Sequence, residues 1–256
     1  MNDIKKIEKN RYNLKSKIDI NNINLKSVGS GNINPAFSSP YIQFEKKILD
    51  TIKGDEYILD LCCGDGIYSF FYVNKINENG KIICVDFAEN SIKIAKERAK
   101  ILEVDNKIKY YIADVENLPF DNIKFDLITC VGSLSYLNIE IFLKITHNLL
   151  KNNGKLIILD SYNHNLFYKI NRFIQFLLSK RSFETYKNIP NESTLKHFKN
   201  IYQNVEIEYF NIFIFLYPLL KYFYSPVKIK KTLDYLDSKF SFLSKYAFKI
   251  IITAKK

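Results

Sequence analysis

The sequence predicts a doubly wound α/β fold, in which a Rossmann-like, mostly parallel sheet carries helices on both faces. Short, continuous apolar runs alternate with amphipathic helical stretches between residues 41 and 160, and such runs are typical of parallel strands buried on both sides. The chain has 256 residues, of which 47% are hydrophobic and 25% charged. That composition supports one folded domain with its own core. We also expect an antiparallel closing strand and helical cap elements.

The alternating elements follow in a fixed order along the chain. We predict strands at Tyr57–Leu61, Lys81–Asp86, Ile108–Ala113, Phe125–Val131 and Lys155–Leu159, and helices at Tyr41–Ile52, Ile67–Ile76, Asn90–Leu102 and Ile139–Leu150. Gly54 follows the first helix and is expected to end it as a C-cap. Residues 1–40 are polar and poorly periodic, which predicts an N-terminal arm ahead of a domain at 41–256.

After Asp160 the pattern becomes more aromatic, and cap or substrate segments are expected at about 161–203 and 211–246. The apolar residues Ile229, Leu233, Leu236 and Phe240 are spaced by four, three and four positions, which is the period of an amphipathic helix. The elements predicted here are helices at Leu166–Leu178 and Lys228–Leu243, a strand at Val205–Phe215 and a closing strand at Ala247–Thr253.

The net charge of +11 is unevenly distributed, with +5 in residues 1–53, −4 in 54–160 and +10 in 161–256. Such basic flanks could bind nucleic acid, a phosphorylated substrate or an anionic membrane surface. However, the chain has 34 lysines and four arginines, and phosphate-reading surfaces usually rely on arginine. We therefore favour a general composition bias and do not favour nucleic acid as a partner.

The cysteines and the chain's hydropathy indicate a cytoplasmic protein. Cys62, Cys63, Cys84 and Cys130 lie in or beside apolar runs without a Cys-x-x-Cys pair, which indicates reduced, buried thiols and no metal site. The longest apolar stretch, residues 210–220, is too short to cross a bilayer. The charged N-terminus is unlike a signal peptide.

Two of the eight glycines, Gly64 and Gly66, directly follow the first predicted strand. A tight turn from strand to helix lets a ligand approach the backbone only where side chains are absent. Asp86 ends the second predicted strand, 20 residues beyond Gly66, where an acid can accept both ribose hydroxyls of an adenosine. The sequence thus predicts a nucleotide-type site at this edge of the sheet.

Two cofactors compete for such a site. A dinucleotide fingerprint has a third glycine where this chain has Ser69, and its pyrophosphate prefers a turn free of carboxylates. Here Asp60 and Asp65 crowd the turn. These acids suit a ligand with a cationic ammonium and sulfonium instead.

The run Ile58-Leu59-Asp60-Leu61-Cys62-Cys63-Gly64-Asp65-Gly66 resembles the first motif of the class I S-adenosylmethionine-dependent methyltransferases. Further segments in the same order are similar to later motifs of that family, namely 84–86, 111–120, 125–130 and 150–156. The resemblance implies S-adenosyl-L-methionine as cofactor, and it implies binding by Asp60, Cys62, Gly64, Gly66, Asp86, Phe87, Asp114, Val115 and Cys130. For Asp126 it implies a structural role.

In this family the acceptor pocket forms at the carboxyl edge of the strands, and we expect Tyr41, Ser133, Tyr162 and Arg172 to border it. His164 is the one histidine near a strand end in this region and is the candidate general base. A looser resemblance of the segment after Asp160 to natural-product and surface-glycan methyltransferases favours a small molecule or a sugar, including a lipid-linked glycan, as acceptor of the methyl group on O or N.

Three alternatives stay open from the sequence. They are an RNA methyltransferase that uses the basic flanks, a nicotinamide-dependent oxidoreductase, and a non-catalytic binder of the cofactor. A homodimer that uses the helix Lys228–Leu243 is a further expectation.

Overall fold

A computed structural model describes residues 9–11, 13, 28–120, 122–177 and 183–256. Its centre is a seven-stranded sheet, whose strands are Tyr57–Leu61 (β1), Lys81–Asp86 (β2), Ile108–Ile112 (β3), Phe125–Val131 (β4), Leu150–Ser161 (β5), Asn204–Phe210 (β6) and Lys249–Lys255 (β7). The strand order is β3-β2-β1-β4-β5-β7-β6. Strands β1 to β5 pair in parallel, and β7 is antiparallel to both β5 and β6.

The described helices are Ser39–Thr51 (α1), Ser69–Tyr72 (α2), Glu89–Ile101 (α3), Ile139–Leu149 (α4), Leu166–Leu177 (α5), Phe183–Lys187 (α6), Glu192–Ile201 (α7), Tyr217–Leu220 (α8) and Pro226–Lys239 (α9). Within these described segments, no helix has both the length and the apolar character needed to cross a membrane. The predicted fold class, a doubly wound and mostly parallel sheet with an antiparallel closing strand, is confirmed.

Each face of the sheet has its own core, because the parallel strands bury side chains on both of their faces. On one face, Phe142 and Leu143 of α4 and Phe198 of α7 pack on the sheet. On the other face, the cluster includes Phe44 of α1 and Phe70 of α2. The helices therefore cover both faces of the sheet and leave its carboxyl edge for loops.

Most of the differences from the predicted elements lie at helix and strand ends. The predicted helix Ile67–Ile76 is only the short α2, followed by a 3₁₀ turn at Val73–Lys75, because Tyr72 has a ψ of −1° that interrupts the α-helical path. Strand β6 ends at Phe210 instead of Phe215, because Asn211 has a positive φ of 62°. Strand β7 begins two residues later than predicted, after the 3₁₀ turn Ser241–Tyr246.

The cap contains two helices that the sequence analysis did not predict. Helix α7 begins at a capping box, in which the Asn191 side chain accepts hydrogen bonds from Ser193 N and Thr194 N. Helix α6 is a single short segment between it and α5. Helix α9 begins at Pro226, after Ser225 as N-cap, and ends at Lys239 rather than at Leu243. Leu178, the predicted end of α5, lies outside the described residues.

The described end of the N-terminal arm is packed against the domain. Gly29–Asn32 and Pro35–Phe37 form 3₁₀ turns, and Ala36 is buried with Tyr168, Ile214, Ile229 and Leu233 in a third core cluster. This cluster joins the arm, α5 and α9, and forms the base of the cap.

Replacement of Phe142 by alanine should lower the free energy of unfolding by about 3–5 kcal/mol, because the ring is fully buried and leaves a cavity. Ile141, its neighbour on the same helix, is 40% exposed, so Ile141→Ala should cost less than about 1 kcal/mol. Urea unfolding of both variants measures the difference. Equal losses would contradict the assignment of this helix face to the core.

Candidate functional site

A cavity of about 240 Å³ opens at the carboxyl ends of β1, β2 and β4. The strand order reverses between β1 and β4, and this switch point is where open α/β sheets leave a crevice for ligands. The predicted cofactor residues that line the cavity are Asp60, Cys62, Gly64, Asp86, Phe87, Asp114 and Val115. Ser133, predicted on the acceptor side, lines it as well.

The loop from Cys62 to Gly66 forms one wall, and its backbone adopts positive φ at Cys62, Gly64 and Gly66. A Cβ at Gly64 would meet no other atom within 4 Å, so its missing side chain leaves room in the cavity. Gly66 serves a different purpose, because a Cβ there would lie 2.8 Å from the Phe70 ring. Gly66 is not among the lining residues; it allows the loop to pack on α2.

Asp86, at the end of β2, fixes the position of this loop. Its carboxylate accepts hydrogen bonds from Gly64 N at 2.9 Å and from Ala88 N at 2.8 Å. Burial raises the pKa of Asp86, while the backbone donors, Phe87 N among them, oppose the rise. The side chain therefore presents an oriented carboxylate at the cavity wall.

Asp60 lies deeper, near the end of β1, and is almost fully buried. Its oxygens accept hydrogen bonds from the Ser69 and Thr129 hydroxyls. Burial raises the pKa of Asp60 to about 6, and these two hydrogen bonds limit the rise. The hydroxyls hold α2 and β4 against the floor of the cavity.

Asp65 forms an ion pair with Arg98, whose Nη1 lies 2.6 Å from Asp65 Oδ2. The Arg98 side chain is completely buried on α3, and its guanidinium lies 5.3 Å from the centre of the Phe70 ring. Asp65 also lines the cavity. From the sequence, Asp65 is predicted only as an acid of a turn that suits a cationic ligand, because nothing in the spacing shows that an arginine 33 positions away lies beneath the loop.

The segment after β3 forms the opposite wall. Asp114 accepts a hydrogen bond from Glu116 N at 3.0 Å and shapes a turn there. Asp114 and Val115 line the cavity together with Phe87 and Ser91. Asp114 thus both shapes the turn and lines the cavity.

The segment after β4 closes the cavity with Gly132, Ser133, Tyr136 and Leu137. Asp160 holds this segment, because its carboxylate accepts a hydrogen bond from Leu134 N at 2.8 Å. Burial raises the pKa of Asp160, and the nearby Lys249 charge opposes the rise. Gly132 is not among the predicted site residues, although it is one of eight glycines and directly follows a strand.

Five other predicted site residues lie outside the cavity lining. Cys130 is fully buried in β4, and Tyr41 stacks on Tyr68 with ring centres 6.2 Å apart. Arg172 is buried and donates to Tyr162 O at 3.0 Å.

His164 packs between two rings, with ring centres 6.3 Å from Tyr162 and 5.6 Å from Tyr246. Its role as a base and the acceptor roles of Tyr41, Tyr162 and Arg172 stay predictions. Asp126 accepts hydrogen bonds from Tyr57 N and Lys151 Nζ at the opposite edge of the sheet, as its expected structural role requires.

The charged side chains among the described lining residues of the cavity are all acidic. Four aspartates line it, and the described lining residues include no lysine, arginine or histidine. A wall with four carboxylates repels phosphate groups and attracts a cationic ligand. The site therefore suits a nucleoside with a positively charged substituent better than a pyrophosphate.

Comparison with known proteins agrees with this geometry. A family model described as a methyltransferase domain matches residues 58–154. Residues 58–154 are therefore similar in sequence to a methyltransferase domain. The prediction of a class I S-adenosylmethionine-dependent methyltransferase domain from the sequence motifs is thereby confirmed.

Two relatives of the methyltransferase domain are named for quinones. The 2-phytyl-1,4-naphtoquinone methyltransferase of Nostoc sp. is 33% identical over 114 residues, 44% of this chain and 50% of that protein. The demethylmenaquinone methyltransferase of Lactococcus lactis is 33% identical over 108 residues, 41% of each chain. The chain therefore matches about half the length of these curated relatives or less.

The geranyl diphosphate C-methyltransferase of Streptomyces coelicolor has a similar fold, with a TM-score of 0.56. The likeness covers 84% of this chain and 78% of that one at 15% identity. Because the identity is so low, this similarity concerns the fold alone. It extends well beyond residues 58–154 and includes part of the cap.

Replacement of Asp65 by asparagine in the methyltransferase domain should lower the free energy of unfolding by about 3 kcal/mol, because the buried Arg98 guanidinium then lacks its counter-charge. The matched control is Glu89→Gln, which removes an exposed ion pair with Lys93 and should cost less than about 0.5 kcal/mol. Denaturant unfolding at neutral pH measures both. A loss for Asp65→Asn as small as the control's would contradict a structural ion pair.

Asp60 should make the domain less stable as the pH rises. Its pKa is about 3.8 in the unfolded chain and about 6 in the folded one, so the folded state binds the proton more tightly between these values. The stability from this group is complete below pH 4 and is lost as the pH rises through 6.

The unfolding free energy of the wild type, measured relative to Asp60→Asn, should therefore fall by about 2–3 kcal/mol between pH 4 and pH 7. Urea titrations at several pH values measure it. Parallel stability curves for the two proteins would contradict the raised pKa.

Proposed function

We propose that this chain is an S-adenosyl-L-methionine-dependent methyltransferase that acts on a small organic molecule. The proposal rests on the acidic cavity at the switch point. There the Asp86 carboxylate binds Gly64 N of the glycine loop, and the missing side chain of Gly64 leaves room for a ligand. The same observation counts against a nicotinamide-dependent oxidoreductase, because a pyrophosphate would lie among four aspartates.

The residues present fit the proposed cofactor. Asp86 has the position and the oriented carboxylate to accept hydrogen bonds from ribose hydroxyls. Asp114 and Val115 provide a polar group and an apolar surface for a purine ring. The open Cβ positions of Gly64 and Gly132 leave backbone exposed on both sides of the cavity, and carboxylates near Gly64 suit an ammonium group.

The cofactor, when bound, would supply a methyl group on a sulfonium, which is an activated electrophile. The chain's own residues then have to orient the acceptor and exclude water. Ser133, Tyr136 and Tyr68 line the cavity and offer hydroxyls for this purpose. Burial raises the pKa of Tyr68, so its hydroxyl stays protonated and can donate a hydrogen bond.

We propose a largely apolar acceptor, since Val131, Leu137 and Ile67 add apolar side chains to the cavity wall. The quinone names of the two relatives support this choice over a glycan. An RNA acceptor would need basic residues at the cavity, and the described lining contains none. Homodimerisation stays a prediction.

Replacement of Gly64 by alanine should weaken binding of S-adenosylhomocysteine at least tenfold, about 1.4 kcal/mol. The new methyl group would project into the cavity, and the positive φ of 56° would strain an alanine. The matched control is Gly31→Ala, where the added Cβ also meets no atom but φ is not positive. Isothermal titration calorimetry on both variants and the wild type measures the change.

Two outcomes would contradict the proposed function. In one, NADH binds the wild-type protein and S-adenosylhomocysteine does not. In the other, Gly64→Ala binds the nucleoside as well as Gly31→Ala does. After binding is established, methyl transfer from labelled S-adenosylmethionine to quinols, phenols and sugars distinguishes the classes of acceptor.

A further inference from the structure

Helix α5 turns its apolar side toward solvent. Its exposed apolar residues recur at helical spacing along one face and are Leu166, Ile170, Phe173, Ile174 and Leu177, each at least 45% exposed. The buried face instead carries Tyr168 and Arg172. An amphipathic helix of a globular domain normally buries its apolar face, so this face is built for contact with something outside the domain.

A second exposed apolar surface lies between residues 217 and 246. Tyr222, Phe223 and Phe242 are each at least 70% exposed, and Leu219 and Tyr235 are each 62% exposed. The two surfaces meet where Phe167 of α5 stacks on Phe215, with ring centres 4.8 Å apart. They also share one base, because Tyr168 of α5 belongs to the same buried cluster as Ile229 and Leu233 of α9. We call the two surfaces together the cap face.

Lysines alternate with the aromatic rings on the second surface. Lys228 lies 4.3 Å from the centre of the Tyr224 ring, Lys221 lies 5.0 Å from that of Tyr222, and Lys245 lies 5.1 Å from that of Tyr246. Aromatic rings beside lysines are the composition of a membrane interface, where rings enter the headgroup region and ammonium groups reach the phosphates.

The charge of this surface is positive, and its acids are already occupied. Residues 217–246 contain six lysines and two aspartates. Asp234 pairs with Lys230 at 2.5 Å, and Asp237 accepts hydrogen bonds from the backbone of Ile212 and Phe213. The other lysines of this surface are exposed and can meet an anionic surface; they are Lys221, Lys228, Lys231, Lys239 and Lys245.

We propose that the cap face is a docking surface for an anionic lipid bilayer. Exposed apolar residues would enter the acyl boundary, and the surrounding lysines would bind lipid phosphates. Such a helix lies in the interface between lipid and water and does not cross the bilayer. None of the described helices could span a membrane. A protein partner would explain the apolar residues, but a bilayer also accounts for the alternation of lysines and rings.

A series of contacts connects the cap face to the wall of the cavity. Phe173 of α5 contacts Tyr186 of α6, with ring centres 6.2 Å apart, and α6 packs on the turn Leu134–Tyr136. Tyr136 in that turn lines the cavity. Docking would therefore bring the bilayer against a helix that contacts α6 and, through it, the cavity wall, although the proposal of docking does not depend on the proposed enzymatic activity.

The test is co-sedimentation of the full chain with lipid vesicles. We expect binding to vesicles of phosphatidylcholine and phosphatidylglycerol in equal parts, little binding to phosphatidylcholine alone, and loss of binding as salt is raised. The double variant Lys221→Glu, Lys228→Glu should bind at least about tenfold more weakly, because two attractive charges become repulsive. Tyr222→Ser with Phe223→Ser tests the apolar contribution and should also weaken binding.

Matched controls are taken from α3, outside the cap face. Lys96→Glu with Lys100→Glu changes two exposed lysines there, and Ile101→Ser changes an exposed apolar residue. Both should leave vesicle binding within about twofold of the wild type. Circular dichroism and S-adenosylhomocysteine titration of each variant separate a docking defect from loss of fold or of the proposed cofactor site.

Three results would overturn the proposal. The first is absence of binding to the anionic vesicles, and the second is an equal loss of binding in the α3 controls. The third is a wild-type protein that does not bind the vesicles and instead dimerises as its concentration rises in sedimentation velocity. In that case the Tyr222 and Phe223 changes would abolish the dimer. That result would assign the cap face to contact between two copies of the chain.

Discussion

The hydrogen bond from Gly64 N to the Asp86 carboxylate joins the ends of two neighbouring strands, and the rest of the site depends on it. It holds the glycine loop after β1 against the end of β2, so the backbone is in place before a ligand arrives. Asp60 and Asp160 make similar contacts, to the Ser69 and Thr129 hydroxyls and to Leu134 N. Buried carboxylates at three strand ends thus fix the loops around the cavity.

This arrangement has a cost in the free energy of folding. Burial raises the pKa of all three acids, which means that the folded state bears a cost for keeping them charged. At Asp60 and Asp86 the cost is offset by hydroxyl and backbone donors, and at Asp160 the Lys249 charge contributes together with backbone donors. The buried Arg98 guanidinium is directed at Asp65, and the buried Arg172 acts on Asp160, which is not among the described residues that line the cavity. Asp60, Asp86 and Asp114 on the cavity wall have no cation among the described lining residues, and they therefore keep a negative potential for a cationic ligand.

The parallel part of the fold could be predicted from the sequence because its strands are buried on both faces and read as apolar runs. β1, β2 and β4 were predicted with their observed bounds. Asp86 and Gly64 could be predicted because Asp86 ends one of these strands and Gly64 lies three residues after the end of another. The Arg98 pair and Asp160's contact with Leu134 N could not, because they join residues 33 and 26 positions apart through tertiary packing. In the cap, Asn211 ends β6 by its backbone conformation, which apolar periodicity does not reveal.

The cap and the parallel sheet differ in which side chains they bury. In the sheet, carboxylates are buried and apolar residues form the cores. In α5, an arginine is buried while Ile170 and Phe173 face solvent. A chain that can bury rings such as Phe142 completely does not lack room for apolar side chains, so exposure on α5 requires its own cause. The proposed contact with a lipid bilayer supplies that cause. The lysines around the rings favour a bilayer whose surface is negatively charged.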